Sequence, residues 1–266
     1  MKIVVCIKQV PDTTEVKLDP KTNTLIRDGV PSIINPDDKA GIEAALEIKE
    51  RLNDGSTVTI VSMGPPQADV ALREALAMGA DEAYLLSDRA FGGSDTFATS
   101  TIIAAGLKKI GYDLVITGRQ AIDGDTAQVG PQIAEHLGIP QVSYAEEILS
   151  IDDKQVVVKR QFEDRYHILE LPVPCLITAL SELAEPRYMS VHGIYDAYRE
   201  KEVKVLGFED LKDMFDPANI GLKGSPTNVY KSFTKQAKGA GTKYDDVSAD
   251  EAVKIIVDKL EERHII

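Results

Sequence analysis

The stretch VITGRQAIDGDTAQVGPQIAEHLGIP, Val115 to Pro140, decides the fold. Leu114 to Thr117 is a short β-branched apolar run closing at Gly118, and Val129, Ile133 and Leu137 recur every four residues before Gly138 and Pro140. That pattern is a strand, a polar loop and a helix. Pro131 has no N–H and is tolerated only in a helix's first turn, which places the helix start near Gln128. The backbone N–H groups from Asp125 to Gly130 are then left free, and Gly124 and Gly130 permit close approach. Such a turn suits a phosphate or pyrophosphate. Asp123 and Asp125 suit capping of the helix, bracing of the loop or acceptance from ribose hydroxyls, while Arg119 supplies positive charge on the other side. A well-capped strand-to-helix connection without a ligand accounts for the same residues.

Around this element, 266 residues are enough for one large α/β domain, or one domain with an appendage, and for a substantial core. With 43 acidic against 30 basic residues the net charge is −13, which repels phosphate backbones and anionic membranes and excludes nucleic acid as the main partner. Cys6 and Cys175 lie singly in apolar strand-like runs and the four histidines are scattered, so neither a disulfide framework nor a zinc site is indicated. The apolar run at the N-terminus is too short for a signal peptide and no stretch approaches a membrane span, so a cytoplasmic location is expected.

In chain order, Lys2 to Ile7 reads as a buried strand whose carboxyl end, Lys8 and Gln9, faces the crevice of a parallel sheet. Val16 to Ile26 reads as a small hairpin. Asn35 and Pro36 open a helix with Ala40, Ala44, Ile48 and Leu52 on one face, and Asp37 and Asp38 in its first turn complement the helix dipole. Thr57 to Met63, Gln67 to Met78 and Glu82 to Leu86 continue the alternation of strand and helix, which implies right-handed βαβ crossovers. Phe91 to Ser100, FGGSDTFATS, leads the next helix, with Ser94 or Asp95 as its cap. Gly92 to Thr96 approaches the SGGxDS loop of ATP pyrophosphatases, but Phe91 replaces the leading serine and the loop follows the third strand instead of the first. A second anion- or ribose-binding loop and a plain capped helix both remain open there. Gln141 to Tyr144 is a short strand, and Ile148 to Ile151, Val156 to Arg160 and Tyr166 to Leu171 are antiparallel strands. Cys175 to Ala179 is another buried strand. From Glu182 a polar tail begins, ending in an amphipathic helix from Ser248 to about Glu262 whose apolar face is carried by Ala252, Ile255, Ile256, Lys259 and Leu260.

The loop Thr117, Gly118, Arg119, Gln120, Ala121, Ile122, Asp123, Gly124, Asp125, followed by Gln128, Val129, Gly130, resembles the signature of the β subunit of electron transfer flavoproteins. The likeness extends to Asn35 and Pro36, to SMGP at Ser62 to Pro65, to ALAMGAD at Ala75 to Asp81 and to EPRY at Glu185 to Tyr188. The resemblance implies a three-layer α/β fold, with a mostly parallel sheet that is Rossmann-like and similar to adenine nucleotide alpha hydrolases, an antiparallel addition and a C-terminal arm. It implies a nucleotide- and FAD-binding domain over residues 1–183, then over 184–266 a recognition loop and an arm that wraps the α subunit. Carried over position by position, its cofactor pocket falls on Cys6, Asn35, Pro36, Asp38, Met63, Gly118, Arg119, Gln120, Ala121, Asp123, Gly124, Asp125, Thr126, Ala127, Gln128, Val129, Gly130 and Pro131. Cys6 and Met63 would be walls of it, not redox groups, and both also read as core packing.

Ordinary members of that family hold AMP in the β subunit, whereas electron-bifurcating members hold a second FAD there. GDTAQVGP at 124–131, NPDDKAG at 35–41 and FGGSDTFATS resemble the bifurcating kind. That kind oxidises NADH at the β-subunit flavin and divides the electrons between an acyl-CoA dehydrogenase and a low-potential acceptor, ferredoxin or flavodoxin. The alternatives are a subunit with structural AMP and, remotely, an ATP pyrophosphatase-like enzyme. No residue reads as a general acid, base or nucleophile, so chemistry would come from a bound cofactor that the protein positions. Within Tyr188 to Tyr198, Val191 aligns with the residue by which the family docks its dehydrogenase.

Overall fold

The apolar run KIVVCI forms strand β1 (Lys2–Ile7), buried from Ile3 onward. In a computed structural model the chain is described over residues 1–12, 31–230 and 239–266; the hairpin expected over Val16 to Ile26 lies outside them. Short strands β2 (Gln9–Pro11) and β3 (Ser32–Ile34) pair antiparallel. Gln9, expected at the crevice, belongs to that ladder. Helix α1 (Pro36–Leu52) starts at a proline that its first turn tolerates and stops at Asn53 in the left-handed conformation. β4 (Thr57–Met63), α2 (Asp69–Met78), β5 (Glu82–Leu86) and α3 (Thr96–Ile110) continue the alternation. Then come β6 (Leu114–Gly118), α4 (Val129–Leu137), β7 (Gln141–Ile151), β8 (Gln155–Gln161), β9 (Tyr166–Pro172) and β10 (Cys175–Ala179).

Eight of these strands, joined by β11 (Val203–Leu206) after α5 (Val191–Arg199), form one nine-stranded sheet in the order β11-β5-β4-β1-β6-β10-β7-β8-β9. It is parallel from β11 to β7, and β8 and β9 extend it antiparallel. The apolar periodicity of each helix buries one stripe against this sheet. Ile42, Leu46, Leu72 and Leu76 of α1 and α2 pack on one face with Ile3, Val5 and Ile60. Ile102, Leu107 and Ile133 of α3 and α4 pack on the other with Val4, Val61 and Val115. Burying each such side chain contributes about 1.5–3 kcal/mol. Three layers result.

The chain runs outward from β1 through β4 to β5, and α3 then carries it back across to β6 on the other side of β1. β1 and β6 are therefore parallel neighbours whose following connections leave on opposite faces. The crevice at their carboxyl ends is the switch point at which doubly wound sheets bind ligands.

Three sequence expectations are corrected. The short strand expected over Gln141 to Tyr144 runs on without a break to Ile151, with register shifts after Ala145 and Ile148 and Tyr144 at φ 61°, because β8 folds back along it through the tight turn at 152–154. The recognition loop expected near Tyr188 to Tyr198 is mostly α5, capped by Ser190 Oγ, which accepts the Gly193 N–H. The polar tail expected from Glu182 is largely part of the α/β unit: β11 pairs in parallel with β5, and the compact unit reaches Tyr230, not 183. Short helices α6 (Phe208–Leu211) and α7 (Gly221–Gly224) lie within it.

The second unit contains α8 (Ala249–Glu261), opened by a reciprocal cap in which the Ser248 N–H donates to Glu251 Oε2 at 2.9 Å and Ser248 Oγ accepts from the Glu251 N–H. No residue of α8 is buried, and Val253 and Ile256 of its apolar side are exposed.

Candidate functional site at the carboxyl ends of β1 and β6

The loop from Gly118 to Gln128 leaves β6 at the switch point, and most of its first half is tied down by the chain. Asp38, in the first turn of α1, places its buried carboxylate between two strand ends: Oδ2 accepts the Lys8 N–H at 2.7 Å and Oδ1 the Gly118 N–H at 2.9 Å. Burial pushes this carboxyl up to about 7, against the pull of those two N–H donors and the Asn35 amide. Asn35, fully buried, clasps the next turn, donating Nδ2–H to Gln120 O at 2.9 Å and accepting the Ile122 N–H on Oδ1 at 3.0 Å. Arg119 donates its backbone N–H to Ala179 O at 2.8 Å, which prolongs the β6–β10 ladder by one bond.

Charge braces the same half. Lys8 Nζ meets Asp123 Oδ1 at 2.7 Å, and Gln120 Nε2 donates to Asp125 Oδ1 at 2.9 Å. The two acids expected to cap, brace or bind ribose thus brace, and Gln128 caps α4 without a side-chain hydrogen bond. Arg119 Nε lies 3.3 Å from Asp37 Oδ2, yet the two buried atoms are not aligned as donor and acceptor, so the pair is held by charge alone. Burial raises Asp37 above the ordinary carboxylate range while Arg119 pulls it back.

Past Asp123 the restraints thin out. An added Cβ on Gly124 would meet nothing within 4 Å, Thr126 is exposed, and Asp125 and Ala127 hold positive φ of 49° and 52°. The Asp125 N–H bonds to Ala121 O at 2.9 Å, so it drops out of the set expected to be free. The first intrahelical bond of α4 runs from Gln132 N to Gln128 O, which leaves the amides of Val129 and Gly130 in the orphan first turn. Gly130 is there for packing: a Cβ would lie 2.6 Å from Thr117 Oγ1 and 2.8 Å from Thr178 Cγ2. Its small size lets α4 sit directly on β6 and β10.

An exposed, lightly restrained tip leading into a helix N-terminus fits the phosphates of a nucleotide. Cys6 and Met63 close β1 and β4 beside it; Cys6 is buried, and burial together with nearby Asp38 drives its thiol far above the range where it would ionise. A thiol held protonated in this way lacks the thiolate that redox chemistry at cysteine needs. Pro36 lines a mostly apolar cleft of 290 Å³ with Ile33, Ile34, Ala40 and Pro186.

The second glycine-rich loop is engaged by its own chain. Asp95 caps α3 through the Ala98 N–H at 3.0 Å and takes the Thr227 N–H and hydroxyl on Oδ2 at 2.9 and 2.7 Å, while Ser94 Oγ accepts the Gly221 N–H at 3.1 Å. Those groups serve the fold, and the pyrophosphatase reading loses its cradle. Thr96 Oγ1, however, donates to Gln128 Oε1 at 2.9 Å and so ties this loop to the candidate site. Sequence reasoning placed Lys8 at the crevice without counting it in the pocket, and weighed Thr96 only within a separate second loop; partners over 30 positions away carry no local signal.

Among the described residues no helix is long and apolar enough to cross a membrane, and no group of three or more His, Cys, Asp or Glu could hold a metal ion.

The electron transfer flavoprotein domain family matches residues 22–211. Over the whole length of both proteins, the chain is 59% identical to the electron transfer flavoprotein subunit beta of Clostridium acetobutylicum and 57% identical to the caffeyl-CoA reductase-Etf complex subunit CarD of Acetobacterium woodii. It is likewise 51% identical to the acryloyl-CoA reductase electron transfer subunit gamma of Anaerotignum propionicum, again across both full lengths. The chain belongs to the electron transfer flavoprotein family, and its end-to-end likeness is to that family's β subunits.

Proposed function

We propose that the chain is the FAD-binding β subunit of a bifurcating electron transfer flavoprotein, acting with an α subunit on electrons from NADH. The observation that carries this is the tip at 124–128, restrained on its β6 side and entering α4 at the switch-point crevice. Full-length relatives named as parts of caffeyl-CoA and acryloyl-CoA reductase systems support the redox assignment. FAD bound there would supply the hydride and electron chemistry. The chain's own groups bind and orient: the α4 first-turn amides and Thr126 would hold phosphate, Arg119 and Gln120 would flank it, and Cys6 and Met63 would exclude water. An acyl-CoA dehydrogenase and a ferredoxin or flavodoxin are the proposed acceptors, and α8 with its exposed apolar side is the arm proposed to wrap the α subunit.

The purified αβ complex is expected to release two FAD per pair on denaturation, measured by absorbance and chromatography of the released nucleotides. One FAD and one AMP would overturn the reading in favour of a structural nucleotide.

The dehydrogenase is proposed to dock on α5, where Val191 at the first helical position is 87% exposed and Tyr188, Tyr195 and Tyr198 are exposed around it. Val191→Glu is expected to slow electron delivery to the dehydrogenase by about tenfold, the loss of one apolar anchor worth about 1–2 kcal/mol, with NADH-driven flavin reduction unchanged in stopped flow. Equal slowing of both steps would remove α5 from the docking surface.

A further inference from the structure

We infer that Asn35 is a positioning residue for the nucleotide site, acting through the loop backbone and not by touching the bound group; the inference rests on the proposed function above. Both polar ends of its amide are already engaged. Nδ2–H is donated to Gln120 O at 2.9 Å, Oδ1 accepts the Ile122 N–H at 3.0 Å, and the residue is fully buried, so no polar atom of its side chain faces a crevice. One side chain from the start of α1 therefore holds an acceptor and a donor two residues apart across the turn that precedes the tip.

The placement gives this clasp leverage. Asn35 is itself anchored, its N–H donating to Lys8 O at 2.9 Å and its own C=O accepting the first α1 bond, from Lys39 N at 3.0 Å. Asp38, one turn on, holds Gly118 and Lys8. β1, α1 and the start of the loop are thus one hydrogen-bonded body, and the loop leaves it at Ile122. The tip that follows includes two non-glycine residues at positive φ, Asp125 and Ala127, conformations that cost energy and persist only when the flanks hold them. Asn35 and Lys8 hold one flank, at Gln120, Ile122 and Asp123, and Thr96 holds the other at Gln128. Release of the Asn35 clasp lets the tip relax, and binding must then order it at its own expense.

The two bonds can be cut separately. Asn35→Ala removes both, whereas Asn35→Asp keeps an acceptor for the Ile122 N–H and loses the donor to Gln120 O together with the amide that pulls on Asp38. The Ile122 side chain is about half exposed, so protection of its amide comes from the Asn35 bond. In the intact αβ complex, amide hydrogen exchange would be read at Ile122 and at Val115 and Ile116 of β6, together with the rate at which nucleotide leaves the β-chain site. In Asn35→Ala, Ile122 exchange is expected to rise at least tenfold with Val115 and Ile116 unchanged, and nucleotide to leave at least tenfold faster. In Asn35→Asp, Ile122 stays protected and nucleotide leaves at an intermediate rate, and this variant supplies the reading if the alanine variant does not fold. Faster Ile122 exchange with unaltered nucleotide release would overturn the positioning role while leaving the proposed function standing. Wild-type complex with no nucleotide in the β chain would overturn both.

Discussion

Gly118→Ala is expected to abolish nucleotide retention and to lower the stability of the α/β unit, although it adds only a methyl group. The new Cβ would lie 2.1 Å from Asp38 Oδ1, 2.9 Å from Asp38 N and 3.0 Å from Asp37 Cβ. The last two contacts belong to the rigid first turn of α1, so retreat of the Asp38 side chain alone cannot make room. That retreat would also break the bonds of Asp38 to Gly118 and Lys8, leaving buried N–H groups unpaired at about 1–3 kcal/mol each. With about 1–3 kcal/mol of overpacking, loss of both bonds would total about 3–9 kcal/mol. Urea unfolding and nucleotide content measure the two effects. Gly124→Ala is the control: its methyl group meets nothing within 4 Å, so stability should stay within about 0.5 kcal/mol of wild type. A Gly118→Ala protein as stable and as well loaded as wild type would mean that α1 does not abut β6 in this way.

Arg187→Ala is the second large effect, and it acts far from the loop. The Arg187 guanidinium closes on the buried Glu43 of α1 with Nε at 2.9 Å and Nη2 at 2.8 Å from Oε1, reaches Glu50 Oε1 through Nη1 at 2.6 Å, and the Arg187 backbone N–H adds a bond to Glu43 Oε2 at 3.0 Å. Both carboxylates hold the guanidinium protonated more firmly than usual. Loss of the arginine strands a carboxylate only 5% exposed. Breaking a buried pair costs about 3–5 kcal/mol; with Arg187 one-third exposed, about 2–4 kcal/mol is expected. Because Arg187 ties the segment before α5 to α1, the exposed face of α5 should become mobile as well. Thermal unfolding checks the first consequence and proteolysis near Tyr188 the second. Glu43→Gln combined with Arg187→Met should recover much of the loss, since it removes the stranded charge along with its partner. If Arg187→Ala alone is harmless, the pair does not hold that segment.

The alternation of strand and helix up to β6, the start of α4 at Gln128 and the cap of α8 at Ser248 were determined by the sequence itself, because each rests on a local pattern: two-residue or 3.6-residue periodicity, a proline that only a first turn accepts, a serine three residues before a glutamate. The run of residues from Thr117 to Gly130 likewise carried the likeness to the electron transfer flavoprotein family, to which the chain belongs. What only the tertiary structure decided depends on pairings between distant residues. VKVL at 203–206 is too short a run to announce a strand, and becomes one because β5 offers an open edge to Val203 opposite Ala83. That Gly130 is also where α4 meets two sheet threonines could not be read from the sequence. Arg187 sat in a polar tail until Glu43, 144 residues earlier, turned out to be its partner. Asn35 read in the sequence as a helix start within the pocket that the resemblance implies, and its amide grips a turn 85 and 87 residues away. A side-chain amide or carboxylate carries no periodic signature of its partner, so its role is set when packing brings the two together.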